Sequence, residues 1–409
     1  MAAKIAPMKI PPQRIALVAI VVVLLAGGAV WWWQGRRQAP QLPPLPGKSE
    51  STAVARGSND QVDALPKSGG LAETARDAEQ RCEQDTKAAH VRLFEELGKR
   101  DDQDAMLVRA LVAPILHQGK GDAVASPQQT KSALLAAAVA AHPDDADVAW
   151  HQAMHCVPDE GCERGAAIDR LLELEPRNVA GWMLALGEAR DADDEAAVQA
   201  TMAAAAKASY YDPRTRATFL RLQDAFADVP IPPSCMTPAF LREWAEMMKS
   251  DSPPTSADLA MVTAIAVVSA EMLAYSPLRD VCLNRDGVVQ PKSRIETCRS
   301  VVANIADGDN LIDLMIGESM MVELTAGTTE GARWRERYRQ SSWLYGQYAN
   351  LQHDLASAMR RWTEGEVPTI REELSAKNLW PAPVDWLPDD ERARSLILTG
   401  RPPPETKGK

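Results

Sequence analysis

Nineteen consecutive residues near the start of the chain, Ile15 to Trp33 (IALVAIVVVLLAGGAVWWW), carry no polar or charged side chain. At about 1.5 Å per residue such a run just crosses the roughly 30 Å hydrocarbon layer of a bilayer. The expectation is therefore a single transmembrane helix with the lipid bilayer as its partner. Trp31, Trp32 and Trp33 fall where one interface should lie, with Arg36 and Arg37 in the headgroups beyond. A cleaved signal peptide is the alternative, since Gly27 and Ala29 are small enough for a cleavage site. Cleavage there would leave a mature chain beginning with Val and three Trp, so the uncleaved anchor is preferred.

Basic residues lie on both sides of the run (Lys4, Lys9 and Arg14 before; Arg36, Arg37 and Lys48 after), so charge alone does not orient it. The cysteines do. All six, Cys82, Cys156, Cys162, Cys235, Cys282 and Cys298, lie in the C-terminal body, and an even count there favours an oxidising compartment. Cys156 and Cys162 bracket one short turn and Cys282 and Cys298 another, which makes these the natural local pairs and leaves Cys82 with Cys235 by elimination. Fifteen connectivities are formally open, and six reduced core thiols in a cytosolic body are the competing case. The expected topology is an inner-membrane, single-pass protein. Residues 1–14 would be a cytoplasmic tail and 15–33 the span, with most of the chain in the periplasm.

Residues 34–70 hold five prolines with Gly, Ser and Gln and few apolar side chains, the composition of a linker about 30 to 35 Å from end to end. Residues 1–70 carry eight Lys or Arg against three acids, leaving 37 basic against 53 acidic side chains in the body. A body of that sign repels phosphate backbones, so nucleic acid is excluded as a partner. Gly47-Lys48-Ser49 is only a fragment of a phosphate-binding loop, because Leu42 stands where its first glycine belongs.

From Leu71 onward the periodicity is helical, and alternating β-branched runs are almost absent, so the fold class is all-α. Fourteen helices are expected between residues 71 and 377, including 255–275, one long helix over 328–363, and a frayed tail from Trp380 onward. The stretch Leu259 to Leu273 is too short for a span and reads as a buried helix with Asp258 and Glu271 marking its ends. Ser293 and Glu296 have capping-box spacing, and Asp309 is placed to cap the helix that follows it.

A repeat stands in the middle of the body. His142-Pro143-Asp144-Asp145-Ala146-Asp147-Val148-Ala149-Trp150 is echoed by Glu175-Pro176-Arg177-Asn178-Val179-Ala180-Gly181-Trp182, with prolines 33 and tryptophans 32 residues apart. This resembles tetratricopeptide repeats over about residues 142–213, without their full aromatic and alanine pattern. The resemblance implies stacked helical hairpins that hold another polypeptide, with Trp150 and Trp182 as packing residues. Residues 71–235 are accordingly expected to form a repeat-like helical domain, and 236–409 a further helical domain.

His151 and His155 stand one helical turn apart near Cys156, Cys162 and His142, so N and S donors could converge on zinc. Residue 152 is Gln, where a hydrolase of the HExxH kind needs its Glu, and a Cys156–Cys162 disulfide would remove half the donors. His151 and His155 are therefore only weak metal candidates, and structural histidines are preferred, with no cofactor and no catalytic residue assigned. The arginines Arg333, Arg335, Arg337 and Arg339 interleave with aromatics. Trp334, Tyr338, Tyr345, Tyr348, Leu355, Met359 and Trp362 make one helical stripe, read as core beside solvated arginines. Asp101-Asp102, Asp193-Asp194 and Asp389-Asp390 suit helix starts better than acid–base catalysis. The function expected is that of an envelope binding protein (scaffold, assembly or chaperone-like factor) rather than an enzyme. The alternatives are a metal-dependent or unfamiliar periplasmic enzyme, and an inhibitor or immunity-type binder.

Overall fold

The computed structural model describes residues 69–116, 130–157, 161–248, 251–283, 291–348, 351 and 354–403. The Ile15–Trp33 run and the proline-rich segment after it lie outside the described residues. Among those described, no helix is long and apolar enough to cross a membrane.

The described residues form seventeen α-helices and no strand: α1 (Gly69–Leu97), α2 (Gln103–Leu116), α3 (Lys131–Ala141), α4 (Ala146–His155), α5 (Arg164–Leu174), α6 (Val179–Asp191), α7 (Glu195–Ala205), α8 (Thr215–Ala227), α9 (Pro238–Met248), α10 (Ser256–Ser269), α11 (Ser276–Cys282), α12 (Lys292–Ala306), α13 (Leu311–Leu324), α14 (Gly331–Tyr348), α15 (Leu355–Glu364), α16 (Glu366–Ala376) and α17 (Glu391–Thr399). The chain divides into two units, one that among the described residues takes in 69–84 with Pro233–Cys235 and one of Asp85–Pro232 with Met236–Lys409. In the first unit the Cys82–Cys235 disulfide clips the middle of α1 to a single 3₁₀ turn, Pro233–Cys235. In the second, Cys156 pairs with Cys162 and Cys282 with Cys298, so all six cysteines are oxidised, two pairs as their spacing suggests and Cys82–Cys235 as the remainder.

The helix starts follow side-chain chemistry. Asp145 accepts from Asp147 N and Val148 N, Asn178 from Ala180 N, Asp194 from Ala197 N and Asp390 from Ala393 N, each satisfying amides that the helix leaves unpaired. The capping box is formed by Thr255 and Asp258 rather than by Ser293 and Glu296. Helix α12 starts at Lys292 behind Pro291, which puts Ser293 inside the first turn and off the cap. Likewise Asn310, not Asp309, caps α13, and the Asp309 carbonyl accepts from Val367 N instead.

The repeat turns stack on one another. Asn178 Nδ2 donates to the Asp212 carbonyl (2.9 Å) and its Oδ1 accepts from Asp212 N (3.0 Å), while Val179 N donates to the Tyr210 carbonyl. Asp145 and Asn178 cap α4 and α6 two residues after Pro143 and Pro176 respectively. Trp150 lies five residues after its cap and Trp182 four, so their indoles differ in direction by about 100°. Trp150 is consequently buried, whereas Trp182 is half-buried and donates Nε1–H to the Pro176 carbonyl (2.8 Å).

Three apolar clusters hold the second unit. The largest joins Trp150, Ile168, Leu171 and Leu186 to Val302, Ile305, Met320, Met321, Trp334 and Leu396. A second joins Phe94, Leu107, Leu111 and Leu135 to Phe219, Leu222 and Met261, and a third centres on Leu344, Ile370 and Leu374. Packing runs across residue 235, where the sequence reading set a domain boundary: α8 lies along α10, and α6 and α7 lie against α11 and α12.

Five local expectations change. The helix expected over 255–275 ends at Ser269, and α11 begins at Ser276 with Pro277 in its first turn, where a proline ring is tolerated. The single helix expected over 328–363 breaks into α14 and α15, because Asp354 caps a new start through Ser357 N (2.7 Å). The aromatic stripe is divided accordingly. Trp334 and Tyr338 enter the largest cluster, Met359 and Trp362 pack on the second, and Tyr345 is exposed. The arginines there are not all solvated: Arg337 reaches Glu318 (3.0 Å) and the Ala306 carbonyl (2.8 Å), and Arg339 is buried against Glu336. The tail expected to fray contains α17, whose Leu396 and Ile397 are buried in the core.

Candidate metal centre

Helix α4 carries His151 and His155 on one face, their rings parallel at 5.9 Å between centroids. Opposite them stands Glu271, two residues beyond the end of α10, and at the first position of α3 stands Lys131. His155 Nε2 lies 3.0 Å from Glu271 Oε1, His151 Nδ1 lies 3.5 Å from Glu271 Oε2, and one ligand atom from each of the three lies within 4.8 Å of the others. Lys131 Nζ donates to Glu271 Oε1 (2.7 Å) and to His155 Nε2 (2.9 Å).

The surroundings fix the rings. Thr218 Oγ1 donates its hydrogen to the Arg214 carbonyl (2.8 Å), so its contact with His151 Nε2 (2.9 Å) is donated by the ring. The proton of His151 therefore sits on Nε2, and Nδ1, buried and without a hydrogen-bond partner, presents a lone pair towards the carboxylate. The His155 carbonyl accepts from Ser132 Oγ (3.1 Å), and the next residue, Cys156, is held by its disulfide. Burial pushes the His151 imidazole down to about 3 and lowers His155 as well, so both rings are neutral. Burial would raise Glu271, but the Lys131 ammonium outweighs it and holds the carboxyl well below its ordinary range. Two neutral imidazoles and an ionised carboxylate result.

The sulfur donors considered with these histidines do not join them, because Cys156 and Cys162 are bonded to each other. His142 is elsewhere, its Nε2 against the Asp101 carbonyl (2.9 Å). Glu271, Lys131 and Thr218 are the members that local reading missed. One signal is present: Glu271 is the lone acid in the apolar stretch Leu259 to Leu273, where a helix end also accounts for it.

Two other polar places have no comparable donor set. A cleft of about 240 Å³ between α2 and α8 is lined by Arg100, Asp104, Arg221 and Asp224, but Arg221 pairs with Asp104 (2.7 Å) and Arg100 with Asp102 (2.8 Å). Tyr211, Tyr275 and Asp313 form a buried chain: the tyrosine hydroxyls lie 2.6 Å apart, and Tyr275 donates to Asp313. No protein-family model matches the chain, and no curated protein or solved structure gives a significant match.

Proposed function

We propose that this chain is a membrane-tethered helical-repeat protein of the bacterial envelope whose body binds another envelope protein, as a scaffold, assembly or chaperone-like factor. The observation that carries the reading is the consecutive packing of α4 on α5, α5 on α6 and α6 on α7, with the turn before α6 bonded to the turn before α8. Hairpins stacked in this way share a continuous core and leave a solvent-facing surface that suits an extended polypeptide, as in the tetratricopeptide repeats which residues 142–213 resemble. The apolar Ile15–Trp33 run supports a tether in the inner membrane, and the three disulfides support a periplasmic body. The acidic balance favours a partner with a basic face.

In-cell crosslinking of the full-length chain, with crosslinked peptides located by mass spectrometry, tests this reading. One abundant envelope protein linked to α4–α8 is the expected result. Crosslinks confined to the membrane run, or none on these helices, would refute it.

A further inference from the structure

The His151–His155–Glu271 cluster is independent of the binding reading and has a use of its own. The His151 Nδ1 lone pair faces a Glu271 carboxylate oxygen across 3.5 Å, and the His155 Nε2 lone pair stands 3.0 Å from the other oxygen. Two electron-pair donors brought this close repel unless they share a cation. Where His155 meets Glu271, the cation is the Lys131 ammonium, bonded to both. Where His151 meets Glu271, Nδ1 has no hydrogen-bond partner. Bonds of about 2.0 to 2.1 Å at a tetrahedral ion place neighbouring donors about 3.3 Å apart, close to both separations seen here.

We propose that His151, His155 and Glu271 bind a divalent transition-metal ion of the Zn²⁺ kind, and that the Lys131 ammonium competes with the ion for His155 Nε2 and Glu271 Oε1. The donor set is two imidazole nitrogens and one carboxylate, which suits zinc and its neighbours rather than Ca²⁺ or Mg²⁺. The supporting contacts orient the ligands as a metal site requires: Thr218 sets the tautomer of His151, and Ser132 and the Cys156–Cys162 disulfide hold the end of α4 at His155. The side chains of Lys131 and His155 are 18% and 19% exposed, against 2% for His151, so an ion reaches the site from the lysine side, with His151 as its floor. Lys131 leaves by swinging its flexible stem into solvent. Gln152 stands where a hydrolase of the HExxH kind carries its base, so the site is assigned metal binding and no hydrolytic step.

The test uses the full-length, oxidised chain in detergent, without a polyhistidine tag. Zn²⁺ is titrated calorimetrically, and Co²⁺ is added separately to read ligand-field absorption. Wild type is expected to take up one equivalent. His155→Ala and Glu271→Gln should weaken binding by at least the about 10- to 100-fold that loss of an outer-shell partner costs, while His142→Ala leaves it unchanged. Lys131→Met is the decisive variant, because a misfolded protein does not acquire tighter binding. Removal of the competing ammonium should strengthen Zn²⁺ binding about tenfold or more and intensify the cobalt band, since the carboxylate then lacks a cation. If wild type binds too weakly to measure, tight binding by Lys131→Met supports the site. Equal affinity in wild type and a folded His155→Ala variant, or no gain in Lys131→Met, would overturn the proposal and leave a lysine–glutamate ion pair with structural histidines.

Discussion

Replacement of Asp313 by Asn should remove a specific part of the protein's pH dependence. Asp313 lies in the first turn of α13, only 6% exposed, and accepts from Tyr275, which in turn contacts Tyr211. Burial pushes its carboxyl from 3.8 up to about 6; Asp309 and Glu366 add to the rise, and the two tyrosines oppose it. The folded protein therefore holds the Asp313 proton more tightly than the unfolded chain does. The associated stability is fully present below about pH 4 and is lost as pH rises through about 6, because only the folded form still prefers to be protonated there. At about 1.4 kcal/mol per pH unit, the displacement corresponds to about 3 kcal/mol lost across that window, with no further change from this group above it. Asn keeps the shape and the acceptor for Tyr275 but has no proton to lose. Urea denaturation of the oxidised protein across this window should show wild type losing about 3 kcal/mol relative to Asp313→Asn as pH rises. Parallel profiles, or a wild type that gains on the variant, would refute the reasoning.

Four further outcomes follow from packing and covalent structure. A Cβ on Gly317 would stand 2.5 Å from Ala306 N and 2.7 Å from Ala306 Cα, so Gly317→Ala should force α12 and α13 apart and cost about 1 to 3 kcal/mol or more, read from the thermal midpoint. Trp150→Ala should cost about 3 to 5 kcal/mol and Trp182→Ala clearly less, and equal losses would contradict the differing indole directions. Alkylation of the unreduced, denatured chain should modify no cysteine. Among double Ser variants, the loss of Cys82–Cys235, which spans 153 residues, should cost more in denaturant than the loss of Cys156–Cys162, which spans 6; loop closure gives upper figures of about 5 and about 2 kcal/mol.

Features written into short stretches of sequence were legible without tertiary information. Helical periodicity after Leu71 set the all-α class, since side-chain spacing decides which backbone can bury a continuous face. Asp102, Asp194 and Asp390, each the second of an acidic pair, do cap helices, because a cap needs only an acceptor within three residues of the amide. Cys156–Cys162 and Cys282–Cys298 were readable because nearby thiols close small loops. His151 and His155 were readable as a pair from the helical turn alone.

What the sequence left undetermined depends on residues brought together from far along the chain. Asp354 caps α15 in a stretch, residues 347–364, that holds neither Pro nor Gly, so composition gives no breaker there; Leu344 and Trp362 on either side enter separate cores. Leu396 and Ile397 form a helix because the main cluster receives them. At the candidate metal centre, only the fold places Glu271, more than a hundred residues away, against both histidines, and only Thr218 fixes which nitrogen of His151 is free. Local sequence sets backbone form and the spacing of neighbouring side chains. The convergence of charges, donors and protons from distant segments is set by packing.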